Sequence, residues 1–416
     1  MALTVTSANT NNLRGGARNV MRSPSGIPYV VLVDATDGGI EVWKGDGVSP
    51  TAFTEQNAAA NPQTSGYGCV SAAMDSSGVI HIAYMYYNTK VSQLRYVTYN
   101  TATDTFSGDV AVKADIGNDP TSLLTLYTAI AVDGNDVPHV AYSEYPNKGG
   151  LPSLFYNNRI GGAWNSAGLE VEGATNGYPC AGYDLAIDLD NRPVVSYVRM
   201  VLRDFEYNAV AAIGNTNDPT GWTLKDLVFQ SATGRTSIVV DPAGNHYVLC
   251  GELSYPRIYR HNRADSWTTW TSIYSGSSIE GRSLSWSGTN LYFFYESSAG
   301  NVCYQTFDGS TWSAETVLET GSFTFVKSKW GFWADCDSSG NMVTKTPFSR
   351  RAANEIDYLF VDNTASPDIW WGNLPLTVAG WASKPLKVYL GGSWTTKPLK
   401  YHNGSAWVEK PLKAFS

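Results

Sequence analysis

Few residues in this sequence stand at spacings that a common catalytic chemistry requires. It has no phosphate-binding glycine loop, no zinc-spaced cysteine or histidine set and no serine-nucleophile turn. The carboxylates of Asp188 and Asp190, and of Asp335 and Asp337, could bind Ca²⁺, but turn stabilisation is the simpler role. We therefore predict no catalytic residue, no metal site and no cofactor, although an acid pair formed by folding would escape a sequence search.

Aromatic and charged residues suited to sugar binding occur in connecting segments whose sequences differ along the chain. An aromatic ring stacks on the apolar face of a sugar, while Arg and Glu bond its hydroxyl or acidic groups. The candidate ligand-binding residues are Tyr67, Tyr127, Tyr178, Arg199, Arg235, Glu252, Tyr255, Arg282 and Trp330. Similar segments hold Glu144, Arg203, Arg350 and Arg351.

A second set of residues closes the chain in three near-identical copies. Trp381, Trp394 and Trp407 are 13 residues apart, and each precedes x-x-Lys-Pro-Leu-Lys. Proline in every copy forbids a continuous helix, and Gly-Ser turns favour short strands. So short a unit cannot bury its own Trp and Leu, so the units must pack on each other, on the propeller or on another chain, which predicts an assembly or anchor segment. Its candidate contact residues are Trp381, Lys384, Leu386, Lys387, Trp394, Lys397, Leu399, Lys400, Trp407, Lys410, Leu412 and Lys413.

The charge is divided unevenly along the 416 residues. Residues 377–416 carry six lysines and one glutamate, or +5, so residues 1–376 carry −13 of the overall −8. Such an acidic body should repel nucleic acid, although lysines interleaved with aromatics leave single-stranded nucleic acid as an alternative partner of the tail. No membrane-spanning run and no signal peptide is evident, so we expect folding in a cytosol, with the five cysteines as buried thiols.

The remaining chain repeats itself. Segments such as AMDSSGVIHIAYMY at 73–86 and AVDGNDVPHVAYSEY at 131–145 predict two apolar strands joined by an Asp-Gly type I turn. His81 and His139 occupy the same place in two copies, which favours a packing role over catalysis. The chain contains seven such copies in all, and the equivalent positions of successive copies are 45 to 58 residues apart. Their equivalent turn positions are Ser23, Asp75, Asp133, Asp188, Asp241, Trp286 and Asp337.

Each copy continues into a third, aromatic-bearing strand and a fourth strand after a polar turn. Four antiparallel strands in each of seven units predict an all-β, seven-bladed propeller over 13–376, with a β-solenoid or a string of small sandwiches as alternatives. Each repeat is expected to own its four strands, and residues 1–12 form an arm that could supply a closing strand. The third-strand markers are Trp43, Tyr96, Tyr156, Tyr207, Tyr259, Tyr304 and Tyr358.

The D-x-x-G-x-x-H-[IV]-A-Y copies that end at Tyr84 and Tyr142 resemble the BNR-type, sialidase-like propeller repeats. This resemblance covers most of 13–372 and implies fold rather than activity. The sialidase Asp box is not intact, because FDGSTW at 307–312 puts Asp308 directly beside Gly309.

The K-P-L-K and G-S-x-W strings of 377–416 resemble the C-terminal tails of bacteriophage virion proteins. That resemblance implies a non-enzymatic structural protein in the virion. The propeller would be displayed on tail or capsid, would bind a host-surface glycan or a neighbouring virion protein, and would be fixed by the tail to virion proteins or to copies of itself. Two alternatives remain open: a sialidase-like glycan hydrolase or lyase, and a purely architectural decoration or spike protein.

Overall fold

A computed structural model shows an all-β chain that divides into two compact units, Met1–Leu374 and Pro375–Ser416. The described part has no α-helix, and none of its helical turns could span a membrane. The structure describes residues 3–6, 19–33, 38–56, 62, 69–87, 92–116, 128–144, 152–173, 177–201, 206–228, 236–252, 255–276, 280–287, 289–320, 333–335, 355–362, 368–375, 382–383, 386–390, 393–397, 399–402, 407–410 and 413–414.

The described residues of the first unit form 28 strands and one 3₁₀ turn, Ile160–Gly162. In chain order the strands are β1 (Leu3–Thr6), β2 (Val20–Arg22), β3 (Pro28–Val33), β4 (Ile40–Gly45), β5 (Phe53–Gln56), β6 (Val70–Met74), β7 (Val79–Tyr87), β8 (Ser92–Asn100), β9 (Thr105–Lys113), β10 (Thr128–Val132), β11 (Pro138–Glu144), β12 (Ser153–Asn158), β13 (Leu169–Glu172) and β14 (Gly177–Ile187). They continue as β15 (Pro193–Val201), β16 (Glu206–Gly214), β17 (Trp222–Val228), β18 (Ser237–Val240), β19 (His246–Glu252), β20 (Tyr255–His261), β21 (Thr271–Ser275), β22 (Glu280–Ser287), β23 (Asn290–Glu296), β24 (Val302–Phe307), β25 (Thr316–Glu319), β26 (Trp333–Asp335), β27 (Glu355–Asp362) and β28 (Asp368–Pro375).

These strands form seven four-stranded sheets arranged as a ring, which confirms the predicted seven-bladed propeller. Blades 1 to 6 each take four consecutive strands, from β2–β5 to β22–β25, and blade 7 orders β26, β27, β28 and β1 outward. Each innermost strand contacts the innermost strands of both neighbouring blades. Between blades 1 and 2, for example, Val31, Val33, Ile80 and Ile82 are at most 1% exposed. Burying each such side chain contributes about 1.5–3 kcal/mol.

The ring closes between blades 7 and 1. Strand β1, from the N-terminal segment, pairs antiparallel with β28 and is the outermost strand of blade 7. The Arg22 guanidinium, at the end of β2, donates two hydrogen bonds of 2.5 and 2.7 Å to the Asp357 carboxylate on β27. Both side chains are 2% exposed. Loss of either partner would leave the other charge buried and uncompensated. The contact therefore stabilises the junction between the first and last blades.

Two parts of the repeat assignment were wrong. Tyr358 lies on β27, the second strand of blade 7, because the N-terminal arm supplies the fourth strand and this repeat contributes only three. Trp286 is the penultimate residue of β22 instead of a turn residue, because Ser287 already pairs with Asn290 across a two-residue connection. The remaining third-strand markers lie on the third strands of blades 1 to 6, as predicted, whereas Asp337 lies outside the described residues.

A carboxylate organises the first hairpin turn of blades 2 to 5. In blade 2, Asp75 Oδ1 accepts hydrogen bonds from the N–H groups of Ser77 and Val79 at 2.9 and 2.8 Å. Its carbonyl accepts the Gly78 N–H, and Gly78 has φ = 86°, a value that favours glycine. The predicted turn is thus confirmed. The same carboxylate bonds recur at Asp133, Asp188 and Asp241.

Innermost strands also share hydrogen bonds across blade boundaries. Each has one edge without a strand partner, so its N–H groups require other acceptors. Ser71 Oγ of blade 2 accepts the Ile130 N–H of blade 3, and Ser237 Oγ of blade 5 accepts the Leu284 N–H of blade 6, both at 3.2 Å. Side chains of one blade therefore complete the backbone of the next.

The Asp184 side chain accepts two backbone hydrogen bonds, one from its own strand and one from the next blade, whereas the side chain of the equivalent residue of blade 3 can accept none. Blade 3 has Ala129 at the place of Ser71, four residues before the turn aspartate, and alanine has no side-chain acceptor. In blade 4, Asp184 Oδ1 accepts the N–H of Leu185, and its Oδ2 accepts the N–H of Ile238 in blade 5, both at 2.8 Å. The Asp184 carboxylate therefore supplies the acceptors for two backbone amides, those of Leu185 and Ile238.

The second unit consists of three two-stranded antiparallel sheets. Strand β29 pairs with β34, β30 with β31, and β32 with β33. Their bounds are β29 (Ala382–Ser383), β30 (Leu386–Leu390), β31 (Ser393–Lys397), β32 (Leu399–His402), β33 (Trp407–Lys410) and β34 (Lys413–Ala414).

Replacing Asp184 by Ala should lower the free energy of unfolding by about 2–5 kcal/mol, because two buried amides lose their acceptor. Ser71→Ala, the matched control, removes one acceptor and should cost about 1–3 kcal/mol. Adding Ala129→Ser to Asp184→Ser should recover part of the loss. Urea denaturation measures all four variants, and an Asp184→Ala cost no larger than that of Ser71→Ala would contradict the double role.

Candidate functional site

The two faces of the ring differ in how their connections are built. One face carries the hairpin turns between first and second strands, and we call it the turn face. The opposite face, the loop face, is where second and fourth strands end, at residues such as Lys113, Glu144, Glu172 and Val201. Ligand sites in proteins favour such clusters of dissimilar loops on a rigid support, so the loop face is the candidate site.

Four predicted ligand residues belong to the loop-face ends of their strands. Tyr178 is the second residue of β14 and Arg282 the third of β22, while Glu252 ends β19 and Tyr255 begins β20. These positions fix the backbone only, since the four side chains lie outside the described residues. The predictions for Tyr67, Tyr127, Arg235, Trp330, Arg203, Arg350 and Arg351 fall outside the described residues altogether.

Arg199 is the predicted ligand residue whose side chain the structure describes. It lies on β15, and its guanidinium donates a 2.6 Å hydrogen bond to Glu172 of blade 3 and another to Asp226 of blade 4. The Tyr197 hydroxyl donates to the second oxygen of Glu172 at 2.5 Å. Burial, reinforced by the Glu172 charge, raises the pKa of Tyr197 well above its usual value. Arg199 thus joins two blades and has its charge compensated.

Blades 2 and 3 meet in a second charged group. The Lys113 ammonium is 3.3 Å from Glu144 Oε1 and donates a 3.2 Å hydrogen bond to the Ala167 carbonyl. Glu144 Oε2 and the Tyr142 hydroxyl are buried and have no hydrogen-bond partner among the described residues. Burial raises the pKa of the Glu144 carboxyl, with opposition from Lys113. Glu144 is therefore a carboxyl that holds its proton more tightly than an exposed one.

Blade 2 contains a third group of the same kind. Arg95 on β8 donates to both oxygens of Asp109 on β9 at 3.0 Å, and the Tyr84 hydroxyl donates to Asp109 at 2.8 Å. Burial followed by Asp109 raises the pKa of Tyr84 beyond its usual range. In blades 2 to 4, Arg95, Lys113 and Arg199 are thus each matched by a carboxylate. This part of the face offers hydrogen-bond acceptors, which suit sugar hydroxyls better than anionic groups.

Sequence reasoning missed the acidic partners of these cations. Glu172 and Asp226 pair with Arg199, and Asp109 pairs with Arg95, and all three lie on fourth strands. The fourth strands carry few apolar markers, so their register could not be read from the sequence. A usable signal was an acid at or near the end of each fourth strand, since Glu172 ends β13, Asp226 is two residues before the end of β17 and Asp109 is four residues before the end of β9.

The proposed calcium ligands have other partners. Asp188 holds its hairpin turn and pairs with Arg192 at 2.7 Å, and Asp190 pairs with Arg263 at 2.7 Å. Asp335 lies on β26 and Asp337 is not described. No group of three possible metal ligands occurs in the described part of the chain.

The histidines pack between strands, as predicted for His81 and His139. His81 Nε2 lies 3.1 Å from Asp75 and its Nδ1 2.5 Å from the Tyr96 hydroxyl. His139 repeats the contact with Tyr156 at 2.5 Å and lies 3.5 Å from the turn aspartate of its own blade. Cys69, Cys250 and Cys303 are buried free thiols, which agrees with the predicted state.

Blade 5 replaces this arrangement with a pair of histidines. His246 Nδ1 lies 3.2 Å from His261 Nδ1, and the Trp267 ring packs edge-on against His246. Burial, followed by the charges of His261, Arg192 and Arg263, lowers the pKa of His246 to about 3. Burial also lowers the pKa of His261.

The propeller is similar to solved glycan-active enzymes. It matches the polysaccharide lyase Uly1 with a TM-score of 0.54 and 10% identity, covering 90% of this chain and 99% of that chain. An ulvan lyase bound to -[GlcA(1-4)Rha3S]- gives 0.53 and 10%, covering 90% and 96%. An α-L-arabinanase of Penicillium chrysogenum, complexed with arabinobiose, gives 0.50 and 12%, covering 74% and 97%. At such identities the similarity shows a shared fold. The sequence matches no protein-family profile and no curated protein.

The His246–His261 pair predicts a loss of stability in mild acid. The unfolded chain binds a proton near pH 6.5, whereas buried His246 does so only near pH 3, so stability is complete above about pH 6.5 and declines as the pH falls. By about pH 5, His246 alone should cost about 2 kcal/mol.

Urea denaturation between about pH 7 and about pH 5 measures this slope above the range in which Asp75 and Asp133 titrate. Substituting His246→Phe should flatten it, and His81→Phe is the control for a histidine held by a carboxylate. An unchanged slope in His246→Phe would contradict the assignment.

Proposed function

We propose that this protein is a non-enzymatic virion structural protein of a bacteriophage, whose propeller binds a host-surface glycan and whose segment 377–416 attaches it to the particle. The observation that carries the glycan role is the common position of Tyr178, Glu252, Tyr255 and Arg282 at loop-face strand ends. Two aromatic residues, an acid and a base at one face are the residue types that bind sugars.

The charged groups of blades 2 to 4 support a neutral or hydroxyl-rich glycan. Arg199, Lys113 and Arg95 are each bound to carboxylates of the protein, so their charges are not available to a sulfate or uronate. These ion pairs also fix the strand ends, which limits the entropy that ligand binding would cost. The similar lyases and arabinanase are glycan-active enzymes, which supports a glycan ligand in general; because the ulvan lyase is bound to -[GlcA(1-4)Rha3S]-, they do not support a neutral glycan in particular.

The attachment role rests on the C-terminal repeats. Their lysines give the segment a charge of +5 beside a body of −13. Their resemblance to phage virion tails supports a particle as the partner, and a purely architectural spike or decoration would keep this attachment but bind no glycan.

A glycan hydrolase is the second candidate, because of Glu144. A carboxyl whose pKa is raised by burial can retain a proton for a leaving sugar oxygen, as general-acid catalysis requires. The charges of Asp115 and Glu170 also raise the pKa of Glu144, so two further acids lie near it. Binding remains the first proposal because of the residue types at the loop-face strand ends.

For the binding role, we expect Arg282→Ala to weaken binding of the purified protein to its glycan-array ligands by about tenfold or more, since a charged hydrogen bond is lost. Arg263→Ala, on the turn face, is the matched control and should leave binding unchanged. Equal losses in both variants, or no glycan bound by the parent, would exclude the loop-face site. Oligosaccharide released by the parent but not by Glu144→Gln would instead establish the hydrolase.

For the attachment role, deletion of 377–416 should remove the protein from purified particles while the propeller keeps its thermal transition. Immunoblotting of sedimented particles and calorimetry of the truncated protein measure the two results. Normal incorporation of the truncated protein would refute attachment through this segment.

A further inference from the structure

The strand pairing of the C-terminal repeats forms a closed cycle. In β30–β31, Lys387 pairs with Thr396, so the sixth residue after one tryptophan lies opposite the second residue after the next. Strands β32–β33 show the same offset between the second and third repeats. In β29–β34 the offset recurs between Lys413 and Ser383, which joins the third repeat to the first. Each repeat is therefore paired with both others within one chain.

A closed cycle constrains how this unit can attach to a partner. In an open array the terminal repeats would offer unpaired strands to another chain. Here the first and last described strands already pair with each other, so strand exchange would have to break that pair first. Attachment then requires contact through the faces of the sheets.

The two faces of each sheet differ in composition. Directly opposed residues of an antiparallel pair share a face, and alternate residues change face. One face collects Leu386, Val388 and Leu390 in β30, with Lys397 opposite Leu386. The other, the lysine–tryptophan face, contains Lys387, Tyr389 and Trp394 in β30–β31, Lys400, Glu409, His402 and Trp407 in β32–β33, and Lys413 in β29–β34.

A lysine beside aromatic rings, repeated in equivalent register, suits an acidic protein surface. Aromatic residues supply contact area, and lysines supply charge complementarity and a salt-dependent association rate. The most acidic part of the sequence is residues 1–376, at −13 against +5 for the repeats.

We infer that the lysine–tryptophan faces dock on the acidic propeller of a second copy of this chain. This inference rests on the proposed attachment role and names its partner. Because the two docking surfaces differ, copies associate either as a reciprocal pair, in which each repeat segment docks on the other propeller, or head-to-tail as a ring or a row. Several equivalent weak contacts act together in such an assembly.

Charge-reversal variants on the two faces test this inference. Lys387→Glu with Lys413→Glu changes the lysine–tryptophan face, and Lys397→Glu with Lys410→Glu makes the same charge change on the opposite face. Lys400 is left intact because Glu409 is directly opposite, where a second acid would disturb the sheet. The full-length chains are compared by sedimentation velocity over a concentration series at about 0.05 M and about 0.5 M salt.

The parent should self-associate at low salt and dissociate at high salt. The first double variant should weaken self-association by about tenfold or more, and the second by less than about threefold. If both double variants weakened self-association equally, the net charge of the chain would explain the effect, and the inference would be overturned. A parent that is monomeric at every concentration would exclude a second copy as partner, while incorporation into particles would still report separately on the proposed attachment.

Discussion

A sheet with apolar residues on both faces is stable in water only when another sheet covers each face. A ring meets this requirement for every blade, whereas an open row would leave two faces exposed to solvent. The stability of the first unit therefore depends on the junction between its first and last blades. Strand β1 and the buried Arg22–Asp357 pair make that junction, and removal of either charged partner would cost about 3–5 kcal/mol.

The sequence revealed the repeat because its signals are local. An aspartate such as Asp75 binds amides two and four residues ahead, so the turn and both flanking strands can be read from one short segment. The function of His81 could be inferred in the same way, from its recurrence. Strand pairings between segments that are distant in sequence could not be predicted. Tyr358 was assigned one strand too far out because nothing near it signals that a segment 350 residues earlier supplies the blade's outer strand.

The site was predictable to the same limited extent. Loop-face strand ends follow from topology once the turns are known, and this locates residues such as Tyr178 and Arg282. The partners of Arg199 do not follow, because its guanidinium lies between carboxylates of two different blades. Whether a cation is available to a ligand depends on such tertiary pairs, which sequence spacing does not encode. At the loop face of blades 2 to 4, Arg95, Lys113 and Arg199 accordingly serve the packing of the blades through their carboxylate partners.

The cyclic pairing of the C-terminal strands has a consequence for how this segment can evolve. A linear array gains or loses units at its end, one at a time, and remains folded at each length. In a three-membered cycle the terminal strand pair would have to part before a fourth 13-residue unit could be inserted, so intermediate lengths are penalised. Duplication or deletion in this segment is therefore expected to be tolerated only when the pairing between its two ends is restored.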